Sequence, residues 1–193
     1  MSEQKTWDKI AESWSNFRQK YESKLNDLPW TPGKILDLGC GNCRNLIPFK
    51  KFTCYGLDLS TEMLKQAKIF TKKHNLKVKL IQGNLTKTPY KDNFFNYVLA
   101  LATLHHLKNP EKGIKEIYRI LTPGGQAYIT TWNKLQPKFL FKSRETYIRW
   151  GKEKRYYNLI SFIQLRKLLK QQGFTILQSK MFGKNLEFLV TKP

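Results

Sequence analysis

Lys34-Ile35-Leu36-Asp37-Leu38-Gly39-Cys40-Gly41-Asn42 reads as an apolar strand that delivers an acidic residue into a Gly-x-Gly bend. Such a bend grips a nucleotide-like ligand by its backbone. Lacking Cβ atoms, Gly39 and Gly41 let the chain turn sharply and let a ligand approach the peptide groups at the strand's carboxyl end. A second apolar run, Thr53-Cys54-Tyr55-Gly56-Leu57, ends in Asp58, whose carboxylate is placed to accept hydrogen bonds from ribose hydroxyls. Ser60 then caps a helix. Arg44 breaks the Gly-x-Gly-x-x-Gly pattern of dinucleotide sites, and no second domain follows to hold a hydride-accepting substrate, which argues against a dehydrogenase. Asp37 argues against a phosphate ligand as well, because a carboxylate there repels a pyrophosphate and suits a cationic amine or sulfonium.

Outward from this bend the chain alternates strand and helix patterns without repeats or low complexity, which predicts one α/β doubly wound unit over residues 1–193. Strands are expected near 34–38, 53–57, 78–82, 95–101 and 125–132, with a final pair near 174–179 and 185–191. Helices are expected near 43–51, 60–74, 110–121 and 161–172. Ahead of them lies an extension, residues 1–30, in which Trp7, Ile10, Ala11, Trp14 and Phe17 fall at helical spacing.

Length and composition set the outer limits. A chain of 193 residues is about one domain and can bury a single core. It holds no run of about 18 apolar residues and opens without a signal-peptide pattern, so a cytoplasmic protein is expected. Cys40, Cys43 and Cys54 are an odd number; Cys40-x-x-Cys43 has no second pair to complete a zinc site, so the three are expected to pack as small apolar residues and no metal is expected. The formal charge of +21, from 35 Lys plus Arg against 14 Asp plus Glu, points to an acidic polymer as partner.

The insertion at 133–158 interleaves that charge with rings. Lys134, Lys138, Lys142, Arg144, Arg149, Lys152, Lys154 and Arg155 alternate with Phe139, Phe141, Tyr147, Trp150, Tyr156 and Tyr157. Cations neutralise phosphates while rings stack on unpaired bases, a pattern suited to single-stranded RNA; the competing reading has the rings completing a core beneath the loop.

Asp37 with its bend, and Asp58 after it, resemble the class I S-adenosylmethionine-dependent methyltransferases. Residues 81–85, Ile-Gln-Gly-Asn-Leu, resemble that family's adenine-binding segment, with Asn84 where Asp is usual. Phe95 to Ala100 is similar to its fourth strand, with Asn96 for Asp, and Leu121 to Ala127 to the turn into its fifth. The resemblance implies a Rossmann-like, mostly parallel seven-stranded sheet with the last strand antiparallel and helices on both faces. It implies S-adenosyl-L-methionine as cofactor, held by Asp37, Gly39, Cys40, Gly41, Asp58, Leu59, Met63, Asn84, Leu85 and Ala100. It also implies an N-terminal helix over the cofactor that brings Arg18 to the pocket edge.

A narrower likeness follows. Ile10 to Arg18, Leu104-His105-His106-Leu107 and Arg155-Tyr156-Tyr157-Asn158-Leu159 resemble segments of the tRNA wobble-uridine carboxymethyl methyltransferases, with Asn158 where His is usual. Those enzymes esterify 5-carboxymethyluridine in the anticodon loop and work with a small zinc-binding activator protein. The reaction chemistry agrees, because a carboxylate is ionised at neutral pH and needs only cations to orient it, a task for Arg18 and Arg155. Methylation of uracil C5 commonly needs a cysteine nucleophile, and all three cysteines fall in the cofactor scaffold. Exocyclic-amine enzymes usually carry Asn/Asp-Pro-Pro-aromatic where this chain has Ala102-Thr103-Leu104-His105. His105 or His106 is expected beside the methyl-transfer point, and Trp132 and Asn133 offer a stacking face and an amide to a flipped uracil. A small-molecule enzyme methylating a carboxylate, phenol or quinone, and a non-catalytic RNA-binding module on the same scaffold, stay open beside this reading.

Overall fold

The computed structural model describes residues 3–139, 141–181 and 183–193; Met1, Ser2 and Leu140, which belong to the expected extension and insertion, lie outside them, as does Phe182. In chain order the elements are α1 (Glu3–Phe17), β1 (Lys34–Leu38), β2 (Thr53–Asp58), α2 (Thr61–Lys73), β3 (Val78–Gln82), β4 (Phe95–Leu101) and α3 (Pro110–Ile120). They continue with β5 (Leu121–Trp132), β6 (Glu145–Trp150), β7 (Glu153–Asn158), α4 (Phe162–Gln171), β8 (Thr175–Lys180) and β9 (Asn185–Thr191).

After Lys34 every residue of β1 is buried. Ile35 packs with Leu46, Phe49, Leu64 and Ala67 on one side, while Leu36 and Leu38 meet Ile114, Ile117 and Leu165 on the other. A strand apolar on both faces needs helices on both, which is why the sheet is doubly wound. Ile114, Ile117 and Ile120 are fully buried along α3, each worth about 1.5–3 kcal/mol of burial.

Seven strands pair in the order β3-β2-β1-β4-β5-β9-β8. The first five are parallel; β9 runs antiparallel to β5 and β8 and lies between them. Strand order reverses between β1 and β4, and such a switch point opens a crevice at the carboxyl ends of the strands. Helix ends follow local chemistry: Ser60 Oγ accepts from Met63 N–H at the start of α2, Ser161 and Gln164 form a reciprocal capping box on α4, and Gly173, at φ +99°, ends it.

Three elements differ from expectation. Residues 44–49 form a 3-10 helix and not an α-helix, because Cys43 is left-handed at φ 64° and Pro48 brings no N–H to the turn. Strand β5 starts four residues early, at Leu121. The insertion carries an antiparallel hairpin, β6 with β7, which packs on α1: Trp150 Nε1 donates to Ser13 Oγ at 3.0 Å and Lys9 meets Glu153 at 2.9 Å. Most of its rings therefore serve packing. Phe139, Tyr156 and Tyr157 are buried, while Phe141 and Tyr147 stay exposed. Among the described residues no helix is long and apolar enough to cross a membrane.

Candidate active site

A cavity of about 320 Å3 opens at the carboxyl ends of β1, β2 and β4, and α1 and β7 contribute to its walls. Its floor is the glycine bend. Gly39 and Gly41 have φ of +76° and +53°, and a Cβ on Gly41 would lie 2.8 Å from the Trp14 ring. The backbone is bare where α1 comes down on it. Asp58 Oδ2 accepts from Gly41 N–H at 2.8 Å and Oδ1 from Ser60 N–H at 3.0 Å, so the end of β2 braces the bend. Burial raises the Asp58 carboxyl against these backbone hydrogen bonds. Cys40 and Cys43 pack with Cys54 in the apolar cluster behind the bend, all as free thiols.

Gly39, Cys40, Gly41, Asp58, Leu59, Met63, Asn84 and Leu85 line the cavity. Asp37 and Ala100 do not. Both are buried in the strands that lead to lining residues, Asp37 into Gly39 and Ala100 into Leu101. Among the described residues Asp37 Oδ2 finds no hydrogen-bond partner, and burial pushes the carboxyl up to about 7, with Arg44 opposing and Asp58 adding. An unpartnered buried carboxylate behind a side-chain-free bend, with a second carboxylate one strand away, fits the cationic methionine end and the ribose of S-adenosylmethionine.

The opposite wall is cationic and aromatic. Arg155, on β7, is only 7% exposed. Its guanidinium lies 5.1 Å from the Trp150 ring centroid, 5.4 Å from that of Tyr157 and 5.7 Å from that of Trp7. Its Nε has no partner, and among the described residues no carboxylate pairs with it. Burial lowers its pKa. Arg18 lines the same cavity from the end of α1, exposed.

His105 and His106 both line the cavity, because the 3-10 turn Leu104–His106 wraps them around its corner. His105 Nδ1 accepts from Trp132 N–H at 3.2 Å, and His106 Nδ1 lies 2.9 Å from the Tyr156 carbonyl and so carries its proton. Both are neutral imidazoles: burial holds His105 well below its usual range and His106 down at about 4.

Trp132 lines the cavity, but its ring is already covered. Tyr157 stacks on it at 4.6 Å and the Lys138 ammonium sits 4.0 Å from its centroid. Asn133 is turned elsewhere: its carboxamide donates to the carbonyls of Met181 and Gly183 and accepts from Leu135 N–H, fastening the turn before β9. Asn158 is likewise occupied, by the Leu107 and Lys108 carbonyls and by Arg144 Nε. Sequence reasoning did not single out Arg44, Thr103 and Tyr157 as lining residues. The signal for Trp7 and Trp14 was their seven-residue spacing on one face of α1.

Residues 36–129 match the family model of the methyltransferase domain. The chain is 31% identical over 157 residues to a protein of Encephalitozoon cuniculi named as a methyltransferase, covering 74% of this chain and 70% of that one. It is 35% identical over 129 residues to a sterol 24-C-methyltransferase of Gibberella zeae. It is 30% identical over 135 residues to the tRNA (carboxymethyluridine(34)-5-O)-methyltransferase of Arabidopsis thaliana. Those two matches take in 63% and 66% of this chain, which spans only about a third of each relative, 34% and 32%. In fold it is similar to a chain in the complex of the Haloferax volcanii Trm112 methyltransferase activator with a methyltransferase, at TM-score 0.73 and 18% identity, covering 97% of each.

Proposed function

The chain belongs to the class I S-adenosylmethionine-dependent methyltransferases, and from that premise we propose that it methylates the carboxylate of a 5-carboxymethyl-modified wobble uridine in a tRNA anticodon loop. One observation carries the reading: Arg155 is a buried guanidinium on the cavity wall, and among the described residues its Nε is unpartnered and no carboxylate pairs with it. A buried charge without a counter-ion is costly, and a substrate carboxylate supplies one.

S-adenosylmethionine supplies an electrophilic methyl group on a sulfonium. The chain's own residues then have to align and dry the nucleophile. Arg155 fixes one carboxylate oxygen and Arg18, at the rim, steers the group inward. Trp7 and Trp14 keep water from the bend. Neutral His105 presents Nε2–H as a donor, and no base is needed because the nucleophile is already ionised. Esterification removes the charge that Arg155 attracts, so the product is held less tightly than the substrate.

The net charge of +21 supports a polyanionic substrate, and the activity named for the Arabidopsis relative supports the carboxymethyluridine. The Haloferax complex supports a methyltransferase activator as partner. The reading places the protein in the cytoplasm with its tRNA, away from membranes. The match to a sterol 24-C-methyltransferase keeps a second reading, methylation of a small molecule; a small carboxylic acid is the acceptor whose anion Arg155 would suit equally. Mass spectrometry of nucleosides from tRNA incubated with the protein, S-adenosylmethionine and the activator separates them. The methyl ester of 5-carboxymethyluridine is expected; unchanged tRNA beside methylated small acids would overturn the proposal.

A further inference from the structure

Two arginines that line the cavity and two lysines that flank it gather within electrostatic reach of one another. Arg155 and Arg18 line it. The Lys138 ammonium lies 4.0 Å from the centroid of Trp132, itself a lining residue. Lys184 directly precedes Asn185, another lining residue, and its backbone carbonyl is gripped by Asn133 N–H and the Gln136 carboxamide, which fixes this stretch beside the insertion. Among the described residues none of the four forms an ion pair. Among the described residues the carboxylates that line the cavity, Glu3, Glu22 and Asp58, form no ion pair with these cations.

Charges of one sign that gather without counter-ions repel each other, and the arrangement is stable because three of the four heads reach water and the fourth, Arg155, lies against the rings of Trp7, Trp150 and Tyr157. Burial, then Lys184, Arg18 and Arg155 in turn, hold the Lys138 ammonium below its usual range. The cluster is graded in depth. Arg155 is buried, whereas Arg18, Lys138 and Lys184 are exposed. The buried position suits a small anion inserted into the cavity; the exposed ones suit an anion that stays outside.

We infer that Lys138 and Lys184 form a phosphate subsite at the cavity mouth, which binds the phosphodiester of the nucleotide whose base enters. The inference rests on the proposed nucleotide substrate and adds a second point of recognition to it. Lys138 also covers the Trp132 ring, and a phosphate that draws the ammonium outward uncovers the indole for the incoming base. Phosphate recognition and base stacking are thereby coupled in one side chain.

Titration calorimetry with uridine 3′,5′-bisphosphate, which has no carboxylate to be methylated, tests the subsite without turnover. The wild-type protein should bind it at least about tenfold more tightly than uridine, the scale of a charge-assisted contact. The double variant K138Q/K184Q should lose that difference, and K138R/K184R should keep it, which controls for loss of packing on Trp132. Equal binding of uridine and its bisphosphate by the wild-type protein, or a difference that survives in K138Q/K184Q, would overturn the inference. The broader reading fails separately: a bisphosphate that binds as expected while 5-carboxymethyluridine 3′,5′-bisphosphate is not methylated would leave the subsite standing and remove the proposed acceptor.

Discussion

Asn42 Nδ2 donates to the Arg18 carbonyl at 2.8 Å, so the residue that closes the glycine bend also ties down the end of α1. The same amide reaches Ser15 Oγ at 3.2 Å, and it is fully buried. Cofactor floor and substrate-facing helix end are thus one hydrogen-bonded unit. Asn42→Ala should lower stability by about 1–3 kcal/mol, the cost of losing the hydrogen bonds of a buried amide, and should raise the KM for substrate more than the Kd for S-adenosylmethionine. Chemical denaturation with steady-state kinetics checks both; a variant with native stability and unchanged KM would remove the clamp.

Packing against the bend gives a sharper test. Gly41→Ala would push a Cβ to 2.8 Å from the Trp14 ring at a φ of +53°, so Trp14 or the backbone has to move. Affinity for S-adenosylmethionine should fall at least tenfold, and the double variant with Trp14→Leu should recover part of it. Recovery is read by calorimetry, and no recovery would place the damage in the backbone alone.

The raised Asp37 carboxyl sets a pH dependence. Its pKa of about 7 lies above the ordinary 3.8, so the stability it contributes to the unliganded protein is full below about pH 4 and is lost as pH rises through 7. A cationic ligand prefers the ionised form. Affinity for S-adenosylmethionine should therefore strengthen between pH 5.5 and 7.5, with proton release on binding near pH 6, and Asp37→Asn should bind weakly with a flat profile. Calorimetry in buffers of different ionisation enthalpy reads the proton directly.

These sites differ in how far the sequence exposed them. The bend, Asp58 and the strand positions were legible because each depends on neighbours within a few residues: the apolar run of β1, the missing Cβ atoms at 39 and 41, and the Ser60 cap. The β6–β7 hairpin was hidden. Glu145 to Trp150 does alternate exposed and half-buried positions, but Tyr147 on the exposed face and Thr146 on the half-buried one blur the period, and its partner surface, α1, lies more than 130 residues earlier. Asn133 looked like a substrate amide for the same reason, since the carbonyls that claim it belong to Met181 and Gly183.

His105 tests whether the reaction needs a base. Its Nδ1 is occupied by Trp132 N–H, its ring stacks 5.0 Å from Tyr157, and burial keeps it neutral far below its usual range. A residue of this kind positions a substrate by donating from Nε2. The kcat of His105→Gln at saturating S-adenosylmethionine, where Asp37 is already ionised, should stay within about fivefold of wild type, with no ionisation near pH 6 in either kcat profile. A loss of about 100-fold or more, the usual size of general-base catalysis, would reassign it.

Arg155 and Arg18 should separate in kinetics because one is buried and the other is not. Arg155→Met keeps bulk among Trp7, Trp150 and Tyr157 while removing the charge, so the fold should be retained or strengthened as the uncompensated cation disappears. The kcat/KM for ester formation should fall by about 100- to 1,000-fold, the worth of a desolvated charge-assisted pair of about 3–4 kcal/mol. Arg18→Ala should also abolish detectable ester formation, and because this arginine acts from an exposed rim the wild-type kcat/KM should fall as salt is raised. S-adenosylmethionine should bind both variants nearly as it binds the wild type. Equal loss of cofactor and substrate binding in Arg18→Ala would place that arginine on the cofactor side of the cavity, and an undiminished kcat/KM in Arg155→Met would show that the buried guanidinium serves packing alone.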